Sequence, residues 1–73
     1  MRGIAVNRRL LPLTVARIDE IISKRHLTLG QVMVEMGFSP LNASLGMALA
    51  RGTRLQLGLI AALEKWLATN ATV

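Results

Sequence analysis

The punctuation between residues 28 and 52 constrains this chain more than any other feature, because it sets where two helices can start and stop. Thr28 is placed to cap a helix, with Gln31 three residues later to reach back to it, while Leu27 and Val32 occupy the two positions of a hydrophobic staple. Gly37 then ends that helix, since a residue without a Cβ readily enters the left-handed region just past a helix end. Ser39 offers the next N-cap and Pro40 the favoured first helical residue. The spacing predicts helices over about 29 to 36 and 40 to 51, joined by a tight Gly-centred turn and stopped at Gly52.

Helical periods continue on both sides. Thr14 is an N-cap candidate for a helix to about Arg25, with Val15, Ile18, Ile21 and Ile22 on one side. Its charges suit the helix dipole, Asp19 and Glu20 standing early and Lys24 and Arg25 in the last turn, with Glu20 and Lys24 an i,i+4 pair. In the second helix Val32, Met33 and Met36 turn inward and Gln31 and Glu35 toward solvent. Thr53 and Gln56 repeat the capping-box spacing and open a fourth helix to roughly Thr69, whose apolar set is Leu55, Leu59, Ile60, Leu63, Trp66 and Leu67. That set is wider than one stripe, as expected of a helix packed against its own domain and a partner subunit. Gly58 within it costs about 1 kcal/mol relative to Ala unless close packing requires it. The expected architecture is all-α: a basic arm over 1–11, a compact four- to five-helix domain over 12–69 and a short tail over 70–73. Within the arm, Ile4, Ala5 and Val6 form either a short strand or part of a flexible segment.

Seventy-three residues bury only about 60 to 65% of the surface their unfolded chain exposes. Yet 52% of them are hydrophobic, more than a small monomer easily hides, so a homodimer is expected. Absence of cysteine removes disulfides and thiolate-bound zinc and fits a reducing cytoplasm. The formal charge of +5 favours an anionic partner such as nucleic acid or a membrane surface, set against the plainer reading that it keeps the chain soluble. No apolar run approaches the roughly 18 to 20 residues of a membrane span. Residues 10–16, after Arg8 and Arg9, are only at the lower length limit for a secretory signal and are followed at once by Arg17 and Asp19.

Catalysis is not expected. Asp19 and Glu20 point about 100° apart on a helix and cannot share a substrate proton. His26 reads as a surface or C-capping residue, with no His, Cys or carboxylate at metal-ligand spacing, so neither a metal nor a cofactor is implied. Trp66 shares its face with Leu59, Leu63 and Leu67 and reads as a core anchor rather than a base-stacking platform.

The run Ile-Ser-Lys-Arg-His-Leu-Thr-Leu-Gly-Gln-Val-Met-Val-Glu-Met-Gly-Phe-Ser-Pro over residues 22–40 and the closing Leu-Ile-Ala-Ala-Leu-Glu-Lys-Trp-Leu over 59–67 resemble the phage-repressor-type (Cro-like, Xre-like) helix-turn-helix family. The likeness spans about residues 13–67. It implies a bacterial or phage transcription regulator that binds duplex DNA as a dimer, in the cytoplasm. Carried over by position, Gln31 starts the second helix beside a phosphate, and Ser39, Asn42 and Ser44 lie at the exposed start of the recognition helix. Arg8, Arg9, Arg51 and Arg54 are candidate phosphate contacts, the first two as a minor-groove arm or, more plainly, as a frayed tail. Two features depart from the family pattern. Met33 stands where a small residue is usual, and the third helix runs about three residues long.

The register of the third helix has two readings. Its own wheel buries Leu41, Leu45, Ala48 and Leu49, whereas the family register turns Ala43 and Met47 to the core and Leu41 and Leu45 outward. An apolar outer face would suit a different function, a small helical module that binds another protein through Leu41, Leu45, Met47, Leu57 and Ile60. A ribbon-helix-helix dimer, suggested by the basic start and the helix after Pro12, is disfavoured because Asn7, Arg8 and Arg9 put polar groups on both faces of the would-be strand.

Overall fold

The computed structural model describes residues 3–73, so Met1 and Arg2 of the expected basic arm lie outside the described residues. From Ala5 the chain pairs with itself: β1 (Ala5–Val6) and β2 (Arg9–Leu10) form an antiparallel hairpin in the register Ala5 to Leu10 and Val6 to Arg9. Asn7 and Arg8 make the two-residue turn, both with positive φ, as a type I′ turn requires to match the strand twist. Leu11 N–H donates to the Ile4 carbonyl at 3.1 Å and extends the ladder by one bond.

Four helices follow, α1 (Pro12–Arg25), α2 (Leu29–Glu35), α3 (Ser44–Arg51) and α4 (Leu57–Thr69), so the fold is mostly helical with one small sheet. Helix α1 starts earlier than its pattern predicts. Pro12 at its head suits the first turn, which needs no N–H. Thr14 is therefore inside the helix, and its hydroxyl donates to the Ile4 carbonyl at 2.8 Å, tying hairpin to helix. At the other end His26 is the left-handed C-cap, with Leu27 N–H returning to the Ile22 carbonyl at 3.0 Å.

Helix α2 opens on the expected capping box. Gln31 N–H donates to Thr28 Oγ1 at 3.1 Å and Thr28 N–H to Gln31 Oε1 at 2.7 Å. Gly37, at φ +88, follows the helix as expected. The tight turn to a helix at Pro40, however, is corrected. Ser39 Oγ accepts Leu41 N–H at 3.2 Å and Asn42 Oδ1 accepts Ser44 N–H at 2.9 Å, so two local side-chain turns hold residues 39–43 outside any helix. Eight residues, 36–43, thus separate α2 from α3, and α3 is short rather than long.

Gly52, in the left-handed conformation, ends α3 and turns the chain back toward the hairpin. There Leu55 N–H donates to the Arg8 carbonyl at 2.8 Å, which keeps residues 53–56 extended and moves the start of α4 to Leu57. The capping box expected at Thr53 and Gln56 therefore does not form.

The core comprises Ile18 and Ile21 of α1, Val32 and Met33 of α2, Leu45 and Ala48 of α3, Leu55, and Leu59, Leu63 and Trp66 of α4. Met33, large for its position in the family pattern, is simply buried. The third helix takes its own wheel. Leu45 is wholly buried while Ala43 and Met47 are exposed, which removes Leu45 from any interface. Leu41 leaves the stripe because it precedes the helix, and it stands 92% exposed. A radius of gyration of 11.1 Å equals the roughly 11 Å expected of a compact 73-residue chain. No helix among the described residues is long and apolar enough to cross a membrane.

Candidate nucleic-acid interface

The hairpin, α3 and the extended segment after it are neighbours, and each carries arginine. The hairpin brings Arg8 at its turn and Arg9 on β2, α3 brings Arg51 in its last turn, and the extended segment brings Arg54. The Leu55 to Arg8 backbone bond places Arg54 next to the turn, and β2 packs against α3. Arg51 and Arg54, three residues apart, have Cα atoms separated by at most about 11 Å. All four arginines are exposed. Among the described residues no acidic side chain pairs with any of the four.

Elsewhere in the fold Arg17, Lys24 and Arg25 have structural partners. The Arg25 guanidinium grips Glu35 with both forks, Nη1 to Oε1 at 2.8 Å and Nη2 to Oε2 at 2.7 Å, and Nη1 also donates to Asn70 Oδ1 at 2.8 Å. Glu35 Oε1 takes a third bond from the Trp66 indole N–H at 2.8 Å. Hydrogen bonds from Arg25 and then Trp66 hold the Glu35 carboxyl below the usual glutamate range, and Glu35 in turn raises Arg25. Glu35 thus joins α1, α2 and α4 while remaining on the solvent side, as expected.

Arg17 is equally occupied. It donates to Glu20 at 2.8 Å and to the Asn70, Ala71 and Val73 carbonyls at 2.9 to 3.3 Å, closing the end of α4. Lys24 pairs with Glu20 at 3.3 Å, and Arg17 and then Lys24 pull the Glu20 carboxyl below its ordinary range. Among the described residues only Arg8, Arg9, Arg51, Arg54 and Lys65 make no ion pair among the Lys and Arg side chains. None of the four acidic residues lies on the hairpin, on α3 or on residues 52–56.

The polar candidates sit apart from this cluster in role. Gln31 Oε1, Ser39 Oγ and Asn42 Oδ1 each accept a local backbone N–H, which spends an acceptor that base reading would use. Asn42 and Arg51 do line one groove, of about 540 Å³, with Leu29, Pro40, Leu41 and Met47. Its floor is close-packed, since a Cβ on Gly46 would meet Leu29 Cδ1 at 3.2 Å. Gln31 lines the neighbouring groove with Val34, on the other side of Pro40. Leu57 is exposed and Ile60 half-buried on α4, and neither lines these grooves.

Sequence reasoning named all four arginines as candidates but not the bond that brings residues 53–56 to the hairpin turn. The Leu55 to Arg8 bond spans 47 positions of chain and has no local pattern. No family model matches the chain, and neither a curated protein nor a solved structure matches it.

Proposed function

We propose that this protein binds double-stranded DNA through the arginine cluster at the hairpin and the end of α3, as a small transcription regulator of bacterial or phage type. The observation that carries this reading is the segregation of charge. Among the described residues Arg17, Lys24 and Arg25 are ion-paired within the fold, whereas Arg8, Arg9, Arg51 and Arg54 have no counter-ion and lie on neighbouring segments, with Lys65 on α4 the one other unpaired cation. A phosphate backbone supplies the missing charge, and release of its counter-ions drives binding. In this reading α2 and α3 take the places of the two helices of a helix-turn-helix, across an eight-residue connection and with an apolar outer face on α3. Sequence readout by α3 is accordingly limited to the neighbourhood of Asn42 and Ser44, and phosphate contacts dominate.

The test is the salt dependence of affinity for a fluorescent duplex. Four phosphate contacts give a slope of log K against log salt of about −3.6, and Arg51→Ala and Arg54→Ala each reduce its magnitude by about one. A chain with no salt-dependent affinity for any duplex at low ionic strength overturns the proposal. The groove beside Leu41 and Met47 favours a second reading, docking of a protein partner or a second copy, and becomes the leading functional surface in that event.

A further inference from the structure

The turn of the hairpin holds an arginine where the backbone asks for glycine. Type I′ turns need positive φ at both central positions, and Asn-Gly is their commonest sequence, because asparagine tolerates the first and glycine the second. Here Asn7 fills the first at φ 55, and Arg8 fills the second at φ 62. Arg8 is exposed, and no ion pair or side-chain hydrogen bond holds it there. The Leu55 N–H holds its backbone, but its side chain has no use inside the fold, and an arginine kept at such a φ points to a role outside it.

Resting on the DNA-binding reading above, we infer that Arg8 is a single-side-chain probe of the minor groove, selective for narrow A·T-rich sequence. Width decides which groove the tip can enter. The sheet has two strands, but the Leu55 N–H on the Arg8 carbonyl sets residues 53–56 against its tip as a third chain segment. A major groove of roughly 12 Å admits a two-stranded ribbon, and the added segment at this tip obstructs that entry. One guanidinium, in contrast, fits a minor groove of about 6 Å, and narrow A·T tracts concentrate negative potential there. Val6, paired with Arg9 and 62% exposed, adds an apolar side chain beside the probe, suited to contact with the groove walls. The Leu55 bond fixes the Arg8 backbone, so the side chain is presented from a braced turn and not from a loose arm.

Three duplexes of equal length separate the outcomes: an A·T-centred one, a G·C-centred one, and the same G·C sequence with inosine for guanine. Inosine removes the amino group from the minor groove and leaves the major-groove edge unchanged. The full chain is expected to bind the A·T and inosine duplexes alike and about tenfold tighter than the G·C duplex. Arg8→Gly is expected to unfold at the same or a higher temperature, because glycine suits the turn, yet to lose that preference. Arg8→Lys, which keeps the charge, is expected to retain salt-dependent binding with a weakened preference. The inference is overturned if the inosine duplex behaves like the G·C one, or if Arg8→Gly keeps the preference. Absence of binding to all three at low salt instead overturns the DNA-binding reading itself.

Discussion

A methyl group added at Gly58 meets no atom within 4 Å, and the residue sits near the start of α4 with no positive φ. No close approach therefore explains a glycine there, and the helix carries its entropic cost. Gly58→Ala is expected to stabilise the protein by about 0.5 kcal/mol, raising the thermal midpoint by about 2 to 4 °C followed by circular dichroism. Gly37→Ala is expected to do the opposite. Space around Gly37 is equally open, but its φ of +88 lies where a Cβ clashes with its own backbone, and the loss is about 1 to 2 kcal/mol. Sequence spacing identified Gly37 as a helix end, and that was legible because the residues around it carry local signals. The role of Glu35 was not. Nothing in a helical wheel shows that an outward carboxylate will meet Arg25 from one helix and Trp66 from another.

Among the elements, helix starts separate what local chemistry decides from what the fold decides. Thr28 and Thr53 have the same capping-box spacing to a glutamine, yet only the first forms the box. The difference is that residues 53–56 run outside any helix, anchored by the Leu55 N–H on the Arg8 carbonyl, and α4 begins only at Leu57. Thr14 is not a cap because α1 already begins at Pro12, and Ser39 is not one because its hydroxyl holds a local turn with Leu41. The third helix lost its first turn to that local competition, which is why Leu41 projects into solvent while Leu45, four residues on, is core. How α1, α2 and α4 are joined can be tested at their junction. Glu35→Ala leaves the indole N–H of Trp66, only 5% exposed, without its acceptor, a loss of about 1 to 2 kcal/mol visible in both the unfolding midpoint and the emission of the single tryptophan. Glu35→Gln keeps an acceptor oxygen for the indole and is expected to lose less. Equal losses in the two variants would mean that the Arg25 pair, not the indole bond, is what matters at this junction.

For the molecule as a whole, a net charge of +5 was legible from composition, but its division into structural and unpaired cations was not. That division depends on which side chains the packed helices bring together, and it carries a pH dependence. Glu20 and Glu35 both have folded-state carboxyls held below the ordinary value of 4.5, by Arg17 and Lys24 in one case and by Arg25 and Trp66 in the other. A depressed folded pKa means that the unfolded chain binds protons first as acid is added. Their contribution is therefore complete above about pH 4.5 and is lost as pH falls through the folded-state values, with little change expected at neutral pH from this source. Glu35 carries the larger share, because its partner Trp66 is buried whereas Glu20 and Lys24 are about half exposed and screened by solvent. Thermal midpoints measured from neutral to acid pH should fall for the parent protein, fall less steeply for Glu35→Gln, and fall nearly as steeply as the parent for Glu20→Gln. A Glu35→Gln profile parallel to the parent's would show that the acid sensitivity resides outside the Arg25, Glu35 and Trp66 junction.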